Sequence, residues 1–161
     1  MVPFYAIMVP VYIMASRMKL TDTFYGLILF GAGGNVAFGM VMYTGFLKSV
    51  SRDLEEAAEI DGSGIFSTMF RIVFPLVAPT TATVAVLFFL WTWNDFLFPS
   101  LMLSSASRRT LMINIAYFKT TTSTRWDLMI AGLMLCMLPV AAVYLAAQKY
   151  VVGGITAGSI K

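Results

Sequence analysis

Three stretches of this chain run long enough to cross a bilayer without one charged residue: Phe24–Phe46 (23 residues), Leu76–Asn94 (19) and Leu128–Gln148 (21). At about 1.5 Å of rise per residue, each helix covers roughly the 30 Å of a hydrocarbon core. Lipid offers no water to backbone N–H and C=O groups, so an isolated run of this kind must bond within itself, which selects helix over strand. Composition agrees. Hydrophobic residues make up 59% and charged residues 12%, against about 45–50% and about 25% for soluble domains. Eleven basic and eight acidic side chains cannot coat a soluble fold of 161 residues. The expectation is an all-α membrane protein.

A fourth apolar stretch, residues 2–16, opens the chain and contains Pro3 and Pro10. It has no basic leader and no small-residue cleavage site, so it does not read as a signal peptide. It is short for a span, and we read it as the remainder of a longer helix, with Met1 internal to a longer protein. The single cysteine, Cys136, implies no disulfide. The chain has no histidine, the commonest metal ligand and neutral-pH base, so no metal or cofactor is expected. A net charge of +3 is too small to argue for nucleic acid and reads as anchoring at lipid headgroups.

Four spans put the connections 17–23 and 95–127 on one side, and 47–75 with the C-terminus on the other. Basic residues normally mark the cytoplasmic side. Here the first side carries Arg17, Lys19, Arg108, Arg109, Lys119 and Arg125, and the second carries Lys48, Arg52, Arg71, Lys149 and Lys161. Six against five orients nothing. Within the spans, Gly31, Gly33, Gly34 and Gly39 read as close-packing positions. Asn35, strongly polar in mid-span, faces either neighbouring protein or a cavity. Pro139 is expected to kink the last helix, which a packed bundle tolerates.

The connection 47–75 holds most of the acidic residues. Ser51 suits an N-cap, and Asp53, Glu55 and Glu56 fall in the first turns of a helix, where its dipole favours negative charge. Leu54, Ala57 and Ala58 share a face, and Gly62 and Gly64 end the helix. A second short helix carries Ile65, Phe66, Met69, Phe70 and Val73 on an apolar face and closes at Pro75. Such a helical hairpin serves either as a solvated acidic loop or as a rigid knob for another protein's groove. Physics alone favours the former.

The spacing Glu56-Ala57-Ala58, then Gly62, Ile72 and Phe74-Pro75, resembles the signature loop of binding-protein-dependent ABC importer permeases. That family usually has Leu at the position of Phe74. Trp91-Thr-Trp-Asn-Asp-Phe-Leu-Phe-Pro99 is similar to the end of the fifth helix in the carbohydrate-uptake branch, the family of the second, maltose-type permease subunit. Gly153-Gly-Ile-Thr-Ala-Gly-Ser-Ile-Lys161 is similar to its C-terminal tail, and Pro3 with Val9-Pro10-Val-Tyr12 to its third helix. The likeness covers essentially the whole chain.

This resemblance implies a MetI-like helical bundle with four of the usual six transmembrane helices, the first two being absent. The whole chain is then one truncated permease domain, with spans near 2–16, 24–46, 76–94 and 128–148. It implies a multi-pass protein of the bacterial inner membrane that moves a sugar or sugar-like solute, a glycerophosphate included. The implied partners are a cytoplasmic ABC ATPase dimer, a second permease subunit in a heterodimer, and an extracytoplasmic solute-binding protein. Glu56, Ala57, Ala58, Asp61, Gly62, Ile72 and Pro75 would couple the permease to the ATPase, with 47–75 cytoplasmic and 95–127 external. The chain has no phosphate-binding Gly-x-x-x-x-Gly-Lys loop, so ATP hydrolysis would belong to the partner and the chain would be no enzyme. Asn35 and Asn94, with Asp95 beside it, are candidate solute-pathway residues, whereas Trp91 and Trp93 read first as an interfacial belt. The alternatives are a secondary transporter driven by an ion gradient, an intramembrane enzyme, and a permease fragment inactive alone. The spans hold no ionisable side chains of the kind an ion-driven transporter normally uses.

Overall fold

The computed structural model describes residues 3–48, 50–51, 53–119 and 123–157. The expected tail residues 158–161 lie outside the described set, as do residue 2 of the first stretch, 49 and 52 of the first long connection, and 120–122 of the second. Among the described residues eight α-helices follow in order: α1 Phe4–Arg17, α2 Phe24–Leu47, α3 Asp53–Ile60, α4 Ile65–Thr68, α5 Phe74–Asn94, α6 Leu97–Met102, α7 Leu111–Ala116 and α8 Trp126–Ala157. The strand-like pairing among the described residues is an isolated bridge between Lys119 and Thr124. The chain is all-α. Among the described residues three segments, Phe24–Leu47, Ile65–Asn94 and Trp126–Gln148, are long and apolar enough to cross a membrane.

Two compact units divide the chain, the first formed by residues 1–37 and 89–143, the second by 38–88 and 144–161. In the first, Ala15 of α1 packs with Phe98 and Met102 of α6 and with Leu103, and Phe4, Met8, Tyr12, Leu27 and Phe30 close around them. Ile113 and Ile115 of α7 and Cys136 of α8 are also buried. The connection 95–127 contributes two helices and five buried apolar residues. Its Ser and Thr residues cluster at 104–110 and 120–124, and this masks the apolar stretches 96–103 before the first cluster and 111–118 between the two. Trp93 donates its indole N–H to the Cys136 carbonyl (3.2 Å), so it ties α5 to α8 rather than serving only as an interfacial ring.

A clasp fastens one end of this unit. Helix α1 stops in a turn in which Leu20 N–H reaches the Ala15 carbonyl (2.9 Å) and Lys19 N–H the Ser16 carbonyl (3.0 Å), with Lys19 at φ 56°. This is the paired 6→1 and 5→2 bonding of a Schellman cap, with lysine in the place glycine normally takes. Asp22 follows at φ 55°. Its Oδ1 accepts the N–H groups of Ser104 and Ser105 (both 3.0 Å) and its Oδ2 accepts the Ser105 hydroxyl. Arg108 donates to the Asp22 carbonyl and pairs with its carboxylate at 3.5 Å. A left-handed non-glycine residue costs roughly 1–2 kcal/mol; its polar partners oppose that cost. Those bonds, the Ser105 hydroxyl first, hold the Asp22 carboxyl below its usual range.

In the second unit the buried face of α5 is Val77, Thr80, Thr83, Val84 and Val86. Thr83 donates back to the Pro79 carbonyl (3.1 Å) and Thr81 to the Val77 carbonyl (3.0 Å), while Tyr43 of α2 donates to Thr81 Oγ1 (2.9 Å). Thr81 and Thr83, each bonded back to its own helix, are tolerated in lipid because that bond satisfies the hydroxyl within the segment. The expected second helix of the acidic connection does not close at Pro75. Helix α4 runs through a π-helical turn, Met69–Val73, straight into α5, and Pro75 sits in that helix's first turn. Proline lacks an N–H and its ring collides with the carbonyl four residues back. The wider π register just upstream is where a helix can absorb that misfit without ending.

Candidate functional site

Two places gather the residues singled out in the sequence. The first is α3 and its turn. Ser51 Oγ accepts the Asp53 N–H (3.2 Å) and opens the helix. The side chain of Glu55 lies outside what is described. Glu56 and Ala57 are exposed, while Ala58 is 4% exposed and forms the helix's seated face. Leu54 and Ile60 remain largely exposed, so a helix only two turns long displays apolar and acidic groups side by side.

The helix stops by a second Schellman cap. Ser63 N–H bonds the Ala58 carbonyl (2.9 Å) and Gly62 N–H bonds the Glu59 carbonyl (2.9 Å). Gly62 lies at φ 76°, a conformation that glycine adopts at little cost because it has no Cβ. No atom lies within 4 Å of where a Cβ would stand, so glycine is needed here for its backbone and not for space. Asp61 N–H bonds the Ala57 carbonyl (3.0 Å) and completes the last turn.

Ile72 falls in the π turn, half-buried, and Pro75 is exposed at the start of α5. A groove of about 330 Å³ lies beside α3, walled by Leu47, Glu59 and Ser63 and by Ile65, Thr68, Met69 and Val73. The Thr68 hydroxyl is enclosed and has no hydrogen-bond partner among the described residues. Sequence reasoning placed the helix, its acidic edge and its glycine turn but missed this groove. It depends on the α4–α5 continuity, which Pro75 seemed to forbid.

The second place lies in the first unit. Asn35 and Asn94, 59 positions apart in the chain, line one cleft of about 530 Å³ together with Phe4, Tyr5, Trp91, Asp95 and Phe98. Gly34 lets α1 approach α2: a Cβ there would stand 2.5 Å from the Phe4 ring. By contrast Gly33 faces open space. Asp95 Oδ1 accepts the N–H groups of Leu97 (3.1 Å) and Phe98 (3.3 Å) and so caps α6. Burial pushes its carboxyl above the usual range, and those two backbone bonds oppose the shift. Tyr5 and Phe98 were not legible as cleft residues, because only the α1–α6 packing brings them there.

With this geometry in hand, comparison with known proteins assigns the class. Residues 1–156 match the model of the family described as binding-protein-dependent transport system inner membrane component, and the chain belongs to that family. It is a multi-pass membrane permease component. Among curated relatives, it is 38% identical over all 161 residues to "Probable starch degradation products transport system permease protein AmyC" of Thermoanaerobacterium thermosulfurigenes, covering 58% of that protein. It is 33% identical to the melibiose/raffinose/stachyose import permease protein MelC of Bacillus subtilis, over 96% of this chain and 56% of that one. The multiple sugar-binding transport system permease protein MsmG of Streptococcus mutans is 33% identical, over 99% of this chain and 58% of its own length. The chain thus spans a little over half the length of these relatives.

Proposed function

We propose that this chain is the coupling half of a permease subunit in an ATP-driven importer of a sugar. The observation that carries the reading is α3: a capped, acidic, mostly exposed helix with a glycine-set exit, joined through α4 to the continuous segment Ile65–Asn94. At about 1.5 Å per residue, 30 residues reach about 45 Å, roughly 15 Å more than a hydrocarbon core needs. The surplus suits the N-terminal end, where α4 and the π turn would stand clear of the membrane on the cytoplasmic side. A partner that rotated α3 would then turn α5 with it through the short capped turn at residues 61–64. That is rigid-body coupling.

The energy source is a separate ABC ATPase, because this chain has no phosphate cradle of its own. A second permease subunit and an extracytoplasmic solute-binding protein complete the assembly, and the connection 95–127 faces the latter. Asn35 and Asn94 line the solute path. The relatives named for starch products, raffinose-type sugars and multiple sugars support a neutral oligosaccharide as cargo. The test is the reconstituted transporter carrying Glu56→Arg. Solute-stimulated ATP hydrolysis and uptake should both fall at least tenfold while the permease still inserts. Retention of both would remove the coupling role from α3.

A further inference from the structure

The cleft that holds Asn35 and Asn94 has a chemical polarity of its own. Asn35 Nδ2 donates to the Gly31 carbonyl (3.1 Å) and Asn94 Nδ2 to the Leu90 carbonyl (2.8 Å). Only the amino limb of an amide can donate to a carbonyl, so these contacts settle which limb is which. Each side chain is tethered to its own helix by its donor, and its carbonyl oxygen is the opposite limb. Asp95 adds a carboxylate that can only accept when ionised. Its Oδ1 makes the two bonds that cap α6, and Oδ2 takes no part in that cap. Among the described residues lining the cleft there is no lysine or arginine, so Asp95 brings the one formal charge. The aromatic rings of Phe4, Tyr5, Trp91 and Phe98 supply flat apolar walls. Acceptors beside aromatic faces suit a solute that presents hydroxyl donors along one edge and C–H groups on the other.

We infer that this cleft takes neutral, hydroxyl-rich solutes and turns away anionic ones, with Asp95 as the residue that sets the charge selectivity. The inference rests on the transport reading above and narrows its cargo: a glycerophosphate or an acidic sugar is excluded at this point of the path. The magnitude follows from Coulomb's law. A unit negative charge about 6 Å from Asp95, at an effective dielectric constant of about 20, is disfavoured by a factor on the order of a hundred. Screening by salt in so open a cleft brings this toward tenfold.

The full-length permease with its partner subunit, in lipid nanodiscs, is titrated with maltotriose and with maltotriose phosphorylated on a primary hydroxyl. Tryptophan fluorescence reports binding, because Trp91 lines the cleft. The wild type should prefer maltotriose by at least tenfold. Asp95→Asn and Asp95→Ser both retain an oxygen able to cap α6 but lose the charge, so the preference should collapse toward unity in each. Asp95→Glu should keep it. The ratio of two affinities is insensitive to the fraction of protein that folds. An unchanged ratio in both neutral variants overturns the assignment, as does a wild type that binds both probes equally or binds neither. None of these results reaches the transport reading, which falls only if ATP-driven sugar uptake is absent from the reconstituted transporter.

Discussion

Substitutions at Gly62 form a graded test of how α3 is held. Its backbone sits at φ 76° with open space around the missing Cβ, so the cost of a side chain is conformational and not steric crowding by neighbours. A left-handed L-residue costs roughly 1–2 kcal/mol, less for asparagine, which tolerates that region, and more for a β-branched residue. Abandoning the turn instead forfeits two hydrogen bonds, Ser63 to Ala58 and Gly62 to Glu59. At about 0.5–1.5 kcal/mol each, that is roughly the same amount. Alanine therefore stands near the balance point, with the capped turn populated only part of the time, and valine stands well past it. A shift of about 1.4 kcal/mol is tenfold in the equilibrium between the capped and open turn. We expect solute-stimulated ATP hydrolysis of the reconstituted transporter to fall in the order Gly, Asn, Ala, Val, with Gly62→Ala down about twofold and Gly62→Val down further. Permease insertion and basal ATP hydrolysis should change little. A Gly62→Val transporter that couples like wild type would refute the claim that the turn fixes the helix, and so would an order that followed side-chain volume instead of left-handed tolerance.

Three further outcomes follow from the packing and the clasp. Phe98, 2% exposed at the centre of the first unit's core, should cost about 3–5 kcal/mol when truncated to alanine, read as a lower midpoint in denaturant for the detergent-solubilised protein. Gly34→Ala places its Cβ 2.5 Å from the Phe4 ring; it should destabilise the protein, and adding Phe4→Ala should recover part of the loss, so the two effects should not sum in a double-mutant cycle. The Asp22 carboxyl titrates below its ordinary value of 3.8. Its stabilising contribution is therefore complete above about pH 4 and is lost as pH falls through the lower, folded-state value. Hydrogen exchange at Ser104 and Ser105 should accelerate only in that acid range, after correction for intrinsic rates, and Asp22→Asn should remove the acid transition.

What could be read in advance depended on the distance over which each feature is determined. The uncharged runs define α2, α5 and α8 because lipid leaves the backbone no other solution. The α3 cap was legible because Ser51, the acidic first turn and Gly62 act within a dozen residues. Asp22 was invisible: its partners Ser104 and Ser105 are 82 and 83 positions away, and one aspartate in a short turn carries no signal of them. The 97–116 region was misjudged because its buried residues come as a short apolar run amid serine and threonine, without helical periodicity long enough to recognise. Pro75 misled in the opposite way. Proline predicts a helix end, but the π turn Met69–Val73 absorbs the misfit and the helix continues. Asn35 could be placed only in a cavity or against protein. Its place with Asn94 in one cleft needed α1, α2, α5 and α6 together.

The coupling claim is met most directly by site-specific crosslinking. Cys136 is buried and is the one cysteine of this chain, so Cys136→Ser, with any cysteine elsewhere in the full-length permease also replaced, leaves the surface clear. Cysteine is then introduced at Ala57, exposed on α3, or at Tyr117, exposed in the connection assigned to the opposite side. Each full-length permease is expressed with its ATPase and treated with a short bifunctional reagent. The account predicts an ATPase adduct from position 57 and none from 117. An adduct from 117 and none from 57, or none from either in an assembly that still transports, would contradict it.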